Sequence, residues 1–438
     1  FIPNTLRKGY GMPTTQFQES IFAYYFYRMI SRAKKVYMLY DARTGGMRSG
    51  DPSRYITQLQ YLYKDANLKS LSLKFDISKT ANEDLYAEKT EEVMKKLKEY
   101  TIADSNKNLS ASSLKNYLQC PLKFYLNNVE GISTEDDEPK EFMSAAMIGD
   151  VVHGVMQHIY TPDTLDANGK IVRGSGKEIE GSGKQITKEF IDNILNDEAW
   201  LKHIVSQHIY CEQNGIKLDN YDKISNPNLA GDGEIFTDAI VHYIKAILKT
   251  DRGIAPFYYK GSEVKENFQW EINDKLKVNV KYIIDRMDSV GGKLRFVDYK
   301  TGSDNVELNR DKILTDTDQR AIFQLFLYAN LYAEHHKKLD LAIKPSIYKT
   351  NDIVKGEDTT TIKINGEKSE KNTVENYLDV VNADGSNFNE KFLKDIKEKI
   401  AEIFNPEIPF RQTDNKGDNQ NCKYCNFKSI CGIKDSDW

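Results

Sequence analysis

Two neighbouring apolar segments in the second half of the chain predict a pair of β-strands with charged residues at their ends. The first segment leads into Asp285, and the second ends with Asp298 and Lys300. Because strand side chains alternate between faces with a period of two, Asp298 and Lys300 point the same way. Gly291 and Gly292 stand between the segments and predict a tight hairpin turn. Such a hairpin brings Asp285 close to Asp298.

Further patterns predict the elements on either side of this hairpin. Helices are expected at 317–336 and 389–404, with another strand at 344–349. The region 161–250 has a mainly helical pattern with polar breaks. Residues 82–100 carry charges at helical spacing and predict a connecting helix. Together these patterns predict an α/β fold.

A helix is also predicted around His153. Met147, Val151 and Val155 repeat at a spacing of four residues and give this helix one buried face. A lone histidine on a helix is most often structural, although a neutral imidazole can also bind a metal ion. The nearby His158 is expected to face solvent.

Composition places the chain among soluble globular proteins. It has 438 residues, 39% of them hydrophobic and 29% charged, and this length is too great for a single core. We therefore expect two or three folded units. No apolar run approaches the roughly 18 residues of a membrane span, and no signal peptide is evident, so we expect a cytoplasmic protein without membrane contact. The net charge of −4 excludes a global positive field, but a DNA-binding groove needs only local basic residues.

The predicted hairpin carries residues that suit phosphodiester hydrolysis. The carboxylates of Asp285 and Asp298 are hard oxygen ligands that can hold Mg²⁺ or Mn²⁺. Lys300 beside them can orient a water molecule or stabilise charge that builds up on a phosphate. The same residue types also occur at solvated strand ends, so the spacing alone leaves both interpretations open.

The order of these residues resembles the PD-(D/E)xK nuclease superfamily, in particular the RecB/AddB-type nuclease domains of bacterial recombination and repair complexes. In that family a helical His precedes a Glu, an Asp, an Asp-x-Lys motif and a helix with Gln-x-x-x-Tyr. The matching positions in this chain are His153, Glu266, Asp285, Asp298, Lys300, Gln324 and Tyr328. The resemblance implies a restriction-endonuclease-like core, in which helices flank a mixed central sheet. It places a nuclease domain at 109–438, with a helical insertion at about 161–250 and a cysteine-rich tail at 411–438.

The resemblance also implies roles for the site residues. Asp285, Asp298 and His153 would bind Mg²⁺ or Mn²⁺. The main-chain carbonyl of Tyr299 is implied as a further ligand. Lys300 would position the attacking water or stabilise the phosphorane. The products would carry a free 3′-hydroxyl and a 5′-phosphate.

Three of the matching positions have less specific roles. Gln324 and Tyr328 stand four residues apart on one helical face, where they would contact a DNA strand or support the lysine. Core packing explains Tyr328 almost as well. Glu266 fills the place of the family's Glu, although a shift in strand register would put Glu263 or Glu271 there instead.

The cysteines predict a second metal centre. Three of the five cysteines form a Cys-x₂-Cys-x₅-Cys motif near the C-terminus, and a fourth lies far ahead of it. Four thiolates suit a structural zinc or a [4Fe–4S] cluster, and spacing does not separate the two. One cysteine before the nuclease core and three after it resemble the iron–sulfur staple of AddB-type nucleases. This resemblance favours the cluster over zinc. The implied ligands are Cys120, Cys422, Cys425 and Cys431, whereas Cys211 is expected to be a free thiol.

The N-terminal region resembles a different protein class. An amphipathic helix pattern at 18–30 leads into a basic segment with Arg32 and then into an apolar strand pattern at 36–40. This resembles the last motif of superfamily 1 helicases, in which the matching arginine reaches a nucleotide γ-phosphate. Residues 1–78 are therefore expected to be a small α/β remnant of a helicase-like domain, with a linker at 79–108. The chain has no Gly-x-x-x-x-Gly-Lys-Ser/Thr motif, so we expect no ATP hydrolysis by this chain alone.

We therefore expect a metal-dependent DNA exonuclease that acts in double-strand-break repair and recombination. Its partners would be DNA ends and another subunit of a larger helicase–nuclease. One alternative is a stand-alone nuclease like those of CRISPR adaptation, which share the cluster and the motifs. The other is a DNA-end-binding or scaffold subunit whose nuclease site has lost its activity.

Overall fold

The computed structural model describes most of the chain. The described residues are 3–40, 52–63, 68–71, 85–103, 105–132, 143–161, 164–165, 171–172, 183–216, 224, 226–229, 232–302, 304–365, 372–414, 422, 425–428 and 430–432. Contacts within the chain divide it into two units, Phe1–Asn82 and Glu83–Trp438. No helix in the described ranges is long and apolar enough to cross a membrane.

The elements fall into these two units. The helices of the first unit are α1 (Asn4–Gly9), α2 (Thr15–Ile30) and α3 (Arg54–Leu62). The helices of the second unit are α4 (Glu91–Lys98), α5 (Ala111–Gln119), α6 (Pro121–Phe124), α7 (Ala145–Tyr160), α8 (Lys188–Asn196), α9 (Glu198–Asn214), α10 (Gly233–Ile254), α11 (Arg320–His335), α12 (Thr350–Val354) and α13 (Phe388–Phe404). Its strands are β1 (Tyr86–Ala87), β2 (Thr164–Leu165), β3 (Ile171–Val172), β4 (Lys184–Ile186), β5 (Phe257–Asn273), β6 (Leu276–Val290), β7 (Lys293–Lys300), β8 (Glu307–Leu308), β9 (Ile343–Lys349), β10 (Lys363–Ile364) and β11 (Phe410–Arg411).

Contacts between α2 and α3 hold the first unit together. Phe26 stacks on Tyr55 with ring centroids 4.8 Å apart, and the Tyr27 hydroxyl donates to Gln58 Oε1 at 2.9 Å. The strand predicted at 36–40 is wrong, because the described residues of this unit contain no strand. A strand requires a partner for its main-chain hydrogen bonds, and the described part of the unit offers none.

A five-stranded sheet with the order β4-β5-β6-β7-β9 forms the centre of the second unit. All pairs are antiparallel except β7 and β9, which are parallel and connected through α11. The predicted hairpin is confirmed: Val290 pairs with Lys293 across Gly291 and Gly292. Both glycines have positive φ, at 57° and 81°, as a two-residue type I′ turn requires.

Helices cover both faces of this sheet, which confirms the predicted mixed sheet with flanking helices. The first core packs α4, α5, α11 and α13 against one face, and the second packs α7, α8, α9 and α10 against the other. Strand β7 serves both cores, because Phe296 faces the first core while Val297 and Tyr299 face the second. Asp298 and Lys300 therefore share the side of α11.

The helices predicted outside the hairpin are also present. The 317–336 and 389–404 patterns correspond to α11 and α13, and the strand at 344–349 corresponds to β9. The pattern at 161–250 corresponds to α8, α9 and most of α10. Within the 82–100 pattern, α4 buries Val93 and Leu97 in the first core, so this helix is part of the second unit.

Candidate active site

The Asp-x-Lys motif lies at the end of β7, beside α11. Lys300 Nζ is 2.6 Å from Asp298 Oδ2. Gln324 Nε2, on α11, donates to Asp298 Oδ1 at 3.0 Å. The Asp298 carboxylate is 2% exposed and is thus held between the lysine and the glutamine.

Asp285 and His153 meet the main chain of Tyr299 at the same place. The Tyr299 amide donates to Asp285 Oδ2 at 3.0 Å. His153 extends from α7, with Nε2 at 3.1 Å from the Tyr299 carbonyl oxygen and Nδ1 at 3.6 Å from Asp285 Oδ2. The carbonyl expected to serve as a ligand therefore lies within this group of residues.

Glu263 completes the cluster of ligand atoms. It lies on β5 between the pairs Ser262–Arg286 and Val264–Ile284, and its Oε1 is 3.7 Å from His153 Nδ1. Its φ of 49° is in the left-handed region, which is strained for a residue other than glycine and is often found at functional sites. Ligand atoms of His153, Glu263 and Asp285 all lie within 4.8 Å of one another, and the described residues contain no second such group of His, Cys, Asp or Glu.

Glu266, which was predicted from the family order, lies outside this cluster. It is exposed, pairs with Tyr282, and lies near Tyr332 and His336. A register irregularity between Tyr259 and Gly261 and the unusual φ of Glu263 decide which glutamate reaches the site. Sequence spacing carries no signal for such a local irregularity.

Burial and neighbouring charges shift the titration of the site. Burial, with a contribution from Asp285, raises the pKa of Asp298 to about 6 although Lys300 opposes this shift. Burial disfavours the charged forms of His153 and Lys300, but the carboxylates outweigh it. Asp285 and Glu263 raise the pKa of His153 to about 9, and Asp298 and Asp285 raise the pKa of Lys300. The site thus carries an excess of carboxylate charge, which suits a divalent cation.

Tyr328 stands one turn beyond Gln324 on α11. It is 7% exposed, and its phenol lies close enough to Asp298 and Asp285 for their charges to raise its pKa in addition to burial. Its ring packs 6.3 Å from that of Tyr282. The side chain therefore belongs to the wall of the site and to the core at the same time.

A buried network of charges lies behind these site residues and was not predicted from the sequence. Its members are Asp251, Arg286, Asp288 and Arg295, with the hydroxyls of Tyr160, Tyr299 and Tyr348. A signal was present, because Arg286 and Asp288 continue an alternating series whose preceding members, Val278, Val280, Tyr282 and Ile284, are all apolar. Charged residues at such positions must find partners when they are buried.

The four cysteines predicted to act together line one small cavity of about 20 Å³. Leu122, Leu126 and Phe427 pack beside them. Cys211 lies elsewhere, fully buried on α9, where burial raises the pKa of its thiol. Arg32 is exposed in a turn of the first unit. In the second unit, His158 is buried against Trp200 rather than facing solvent.

Comparison with known proteins is consistent with this arrangement. A family model described as the PD-(D/E)XK nuclease superfamily matches residues 108–432. This range contains every residue of the site described above and all four clustered cysteines. No curated protein sequence matches the chain.

Proposed function

This chain belongs to the PD-(D/E)XK nuclease superfamily, and we propose that it is a metal-dependent DNA exonuclease of the RecB/AddB type, acting in double-strand-break repair and recombination. The observation that carries the proposal is the convergence of Asp285, Asp298 and Lys300 with His153 and Glu263 where the C-terminal end of β7 separates from β6. These side chains come from three strands and one helix. Their convergence in a partly buried site supports catalysis over a solvated strand end.

The donor atoms at the site suit Mg²⁺ or Mn²⁺. Carboxylates of Asp285, Asp298 and Glu263 and the carbonyl of Tyr299 supply the hard oxygen ligands that these ions prefer. Binding of the ion would displace the proton that Asp285 and Glu263 favour on His153, and the neutral imidazole would then add a nitrogen ligand. When bound, the ion supplies an activated water and offsets charge on the scissile phosphate.

Lys300 and Gln324 would complete the machinery. The nearby carboxylates keep the Lys300 ammonium charged, so it can orient the attacking water or stabilise charge on the phosphate. Gln324 occupies one oxygen of Asp298 and so fixes the orientation of that carboxylate. Tyr328, in the wall of the site, would border the DNA strand. The products would carry a 3′-hydroxyl and a 5′-phosphate.

We further propose that Cys120, Cys422, Cys425 and Cys431 hold a [4Fe–4S] cluster. All four cysteines line one small cavity, and the sequence resemblance favours a cluster over zinc. Strand β1, which precedes Cys120 in the sequence, pairs with β11, which precedes Cys422. The cluster would therefore strengthen an existing link between the two ends of the second unit.

For the first unit we propose descent from a helicase-like domain. The support is the sequence resemblance around Arg32 and the division of the chain after Asn82. In this proposal residues 1–78 are the remnant and 109–438 the nuclease domain. Of the segment 79–108 expected as a linker, α4 packs into the first core and so belongs with the nuclease domain. The functional partner would be another subunit of a helicase–nuclease.

Cleavage of end-labelled single- and double-stranded DNA with Mg²⁺ or Mn²⁺ tests the nuclease proposal. An anaerobic, iron-replete preparation should degrade DNA, and Lys300→Ala should abolish this activity without loss of folding. Lys344→Ala is a matched control, because Lys344 is a lysine on the adjacent strand β9 whose partner is Glu375, at the end remote from the site. Absence of cleavage by the wild type would favour the DNA-end-binding or scaffold subunit. Equal cleavage by all three proteins would refute the assignment of the site.

A further inference from the structure

The main chain of Tyr299 is the centre of the site described above. Its amide holds Asp285 and its carbonyl contacts His153, at 3.0 Å and 3.1 Å respectively. Its chain neighbours are Asp298 and Lys300. A small displacement of this one residue would therefore move four functional groups relative to one another.

The side chain of Tyr299 packs edge-on against the His153 ring, with ring centroids 5.6 Å apart, and is anchored in the second core, opposite Asp298 and Lys300. Its hydroxyl accepts a hydrogen bond from Arg286 Nη1 at 2.8 Å, and the residue is 2% exposed. Arg286 directly follows Asp285 on β6. The bond thus joins the two catalytic strands on the face remote from the metal ligands.

Arg286 is itself held rigidly. Its two terminal nitrogens donate to Asp251 at 2.7 and 2.9 Å, and its Nε lies 3.0 Å from Asp288 Oδ2. The rings of Tyr160 and Tyr348 lie 5.0 and 5.1 Å from the guanidinium carbon. Such a fully buried charge has little freedom, because any movement would leave it unpaired in a medium of low polarity.

The same anchor reaches the helix that carries His153. Tyr160, two turns further along α7, donates its hydroxyl to Asp251 Oδ2 at 2.6 Å. Asp251 belongs to α10, so helices α7 and α10 and strands β6 and β9 meet at one carboxylate, and β7 joins them through the bond from Arg286 to Tyr299.

From this geometry we propose that Tyr299 is a positioning residue, whose phenol, fixed by Arg286 and Asp251, holds the Asp285, Asp298 and His153 ligands in place for the metal ion. The inference rests on the proposed nuclease function and extends it to a residue whose side chain never meets the substrate. Groups that orient metal ligands in this way change metal affinity or activity by about 10–100-fold when removed.

The matched pair Tyr299→Phe and Tyr348→Phe tests the proposal. Tyr348 is paired with Tyr299 across β7 and β9, and its hydroxyl donates to Asp251 Oδ1 and accepts from Arg295. Each variant removes one buried hydroxyl from the same network. Only Tyr299 carries the main chain that contacts the ligands. Tyr299→Phe removes one of the hydrogen bonds described for this network and Tyr348→Phe removes three, so a purely structural effect should be no larger in Tyr299→Phe.

Three measurements distinguish the outcomes: thermal unfolding, calorimetric binding of Mn²⁺, and kcat and KM for DNA cleavage. We expect both variants to lose stability. Only Tyr299→Phe should bind Mn²⁺ at least about 10-fold more weakly than the wild type does, and only this variant should lose kcat with little change in KM. Equal Mn²⁺ affinities and equal kcat values in the two variants would overturn the proposal. If the wild type cleaves no DNA, the nuclease function fails, and a selective loss of Mn²⁺ affinity in Tyr299→Phe would still support the positioning role.

Discussion

The substitution Asp251→Asn should destabilise the protein strongly, because this carboxylate is the common acceptor of the buried network. Its two oxygens accept from both terminal nitrogens of Arg286 and from the hydroxyls of Tyr160 and Tyr348, at 2.6–2.9 Å. Asparagine replaces one oxygen by a donor, so two of these bonds are lost. Hydrogen bonds to charged groups contribute about 1.5–3 kcal/mol each, and removal of one partner of a buried ion pair costs about 3–5 kcal/mol. We therefore expect the free energy of unfolding to fall by about 3–5 kcal/mol.

Urea unfolding measures this effect, with Asp192→Asn as the control. Asp192 makes a similar two-pronged contact with Arg252, at 2.5 and 3.0 Å, but both side chains are largely exposed. The control should change stability very little, because exposed ion pairs are screened by water. Equal losses in Asp251→Asn and Asp192→Asn would refute the argument that burial makes the network strong.

The pH dependence of this difference provides an independent check. Burial opposes ionisation of Asp251, but Arg286 and Arg295 outweigh it and lower the pKa of the carboxyl below its usual value. A carboxyl whose folded-state pKa is lowered stabilises the protein above its unfolded-state pKa of about 3.9 and loses this contribution as the pH falls further. The stability gap between wild type and Asp251→Asn should therefore be constant near neutral pH and shrink below about pH 4. A gap that widens on acidification would contradict the assignment.

Three other substitutions test the remaining assignments. Glu263→Gln should weaken Mn²⁺ binding and metal-dependent cleavage by about 10–100-fold, whereas Glu266→Gln should leave both nearly unchanged. Calorimetry and the DNA assay measure the two effects, and a larger loss in Glu266→Gln would contradict the assignment of Glu263. Cys120→Ser should remove the iron–sulfur absorbance and lower the unfolding temperature, while Cys211→Ser should retain full iron content. Iron analysis of both variants measures this difference, and equal iron contents would contradict the assignment of Cys120 as a ligand. Gln324→Leu should reduce cleavage by about 10–100-fold because the Asp298 carboxylate loses its orienting donor; unchanged kcat would show that this bond is dispensable.

Local features of the sequence predicted the β6–β7 hairpin well. The Gly291-Gly292 turn and the alternation of β7 depend only on neighbouring residues, so the common direction of Asp298 and Lys300 could be read directly from the sequence. The helices α11 and α13 were predictable for the same reason, because their apolar spacing repeats within each element.

Three predictions from the sequence were wrong for one reason: each depends on contacts between residues that are far apart in the sequence. The strand expected at 36–40 lacks a pairing partner among the described residues of its unit. Glu266 was favoured over Glu263, although a register irregularity in β5 and a positive φ decide the choice. His158 was expected in solvent, yet α9 packs over it and buries it.

The sequence by itself therefore determined the α/β class, the hairpin and the identity of the Asp-x-Lys residues, because side-chain alternation and turn geometry are local properties. The tertiary structure alone decided which glutamate joins His153 and Asp285, how Gln324 reaches Asp298 through the β7–α11–β9 crossover, and that the four cysteines share one cavity. It also assembled the charges around Asp251, which come from separate helices and strands. These arrangements arise only when two cores pack against one sheet, since burial then forces distant polar groups to become one another's partners.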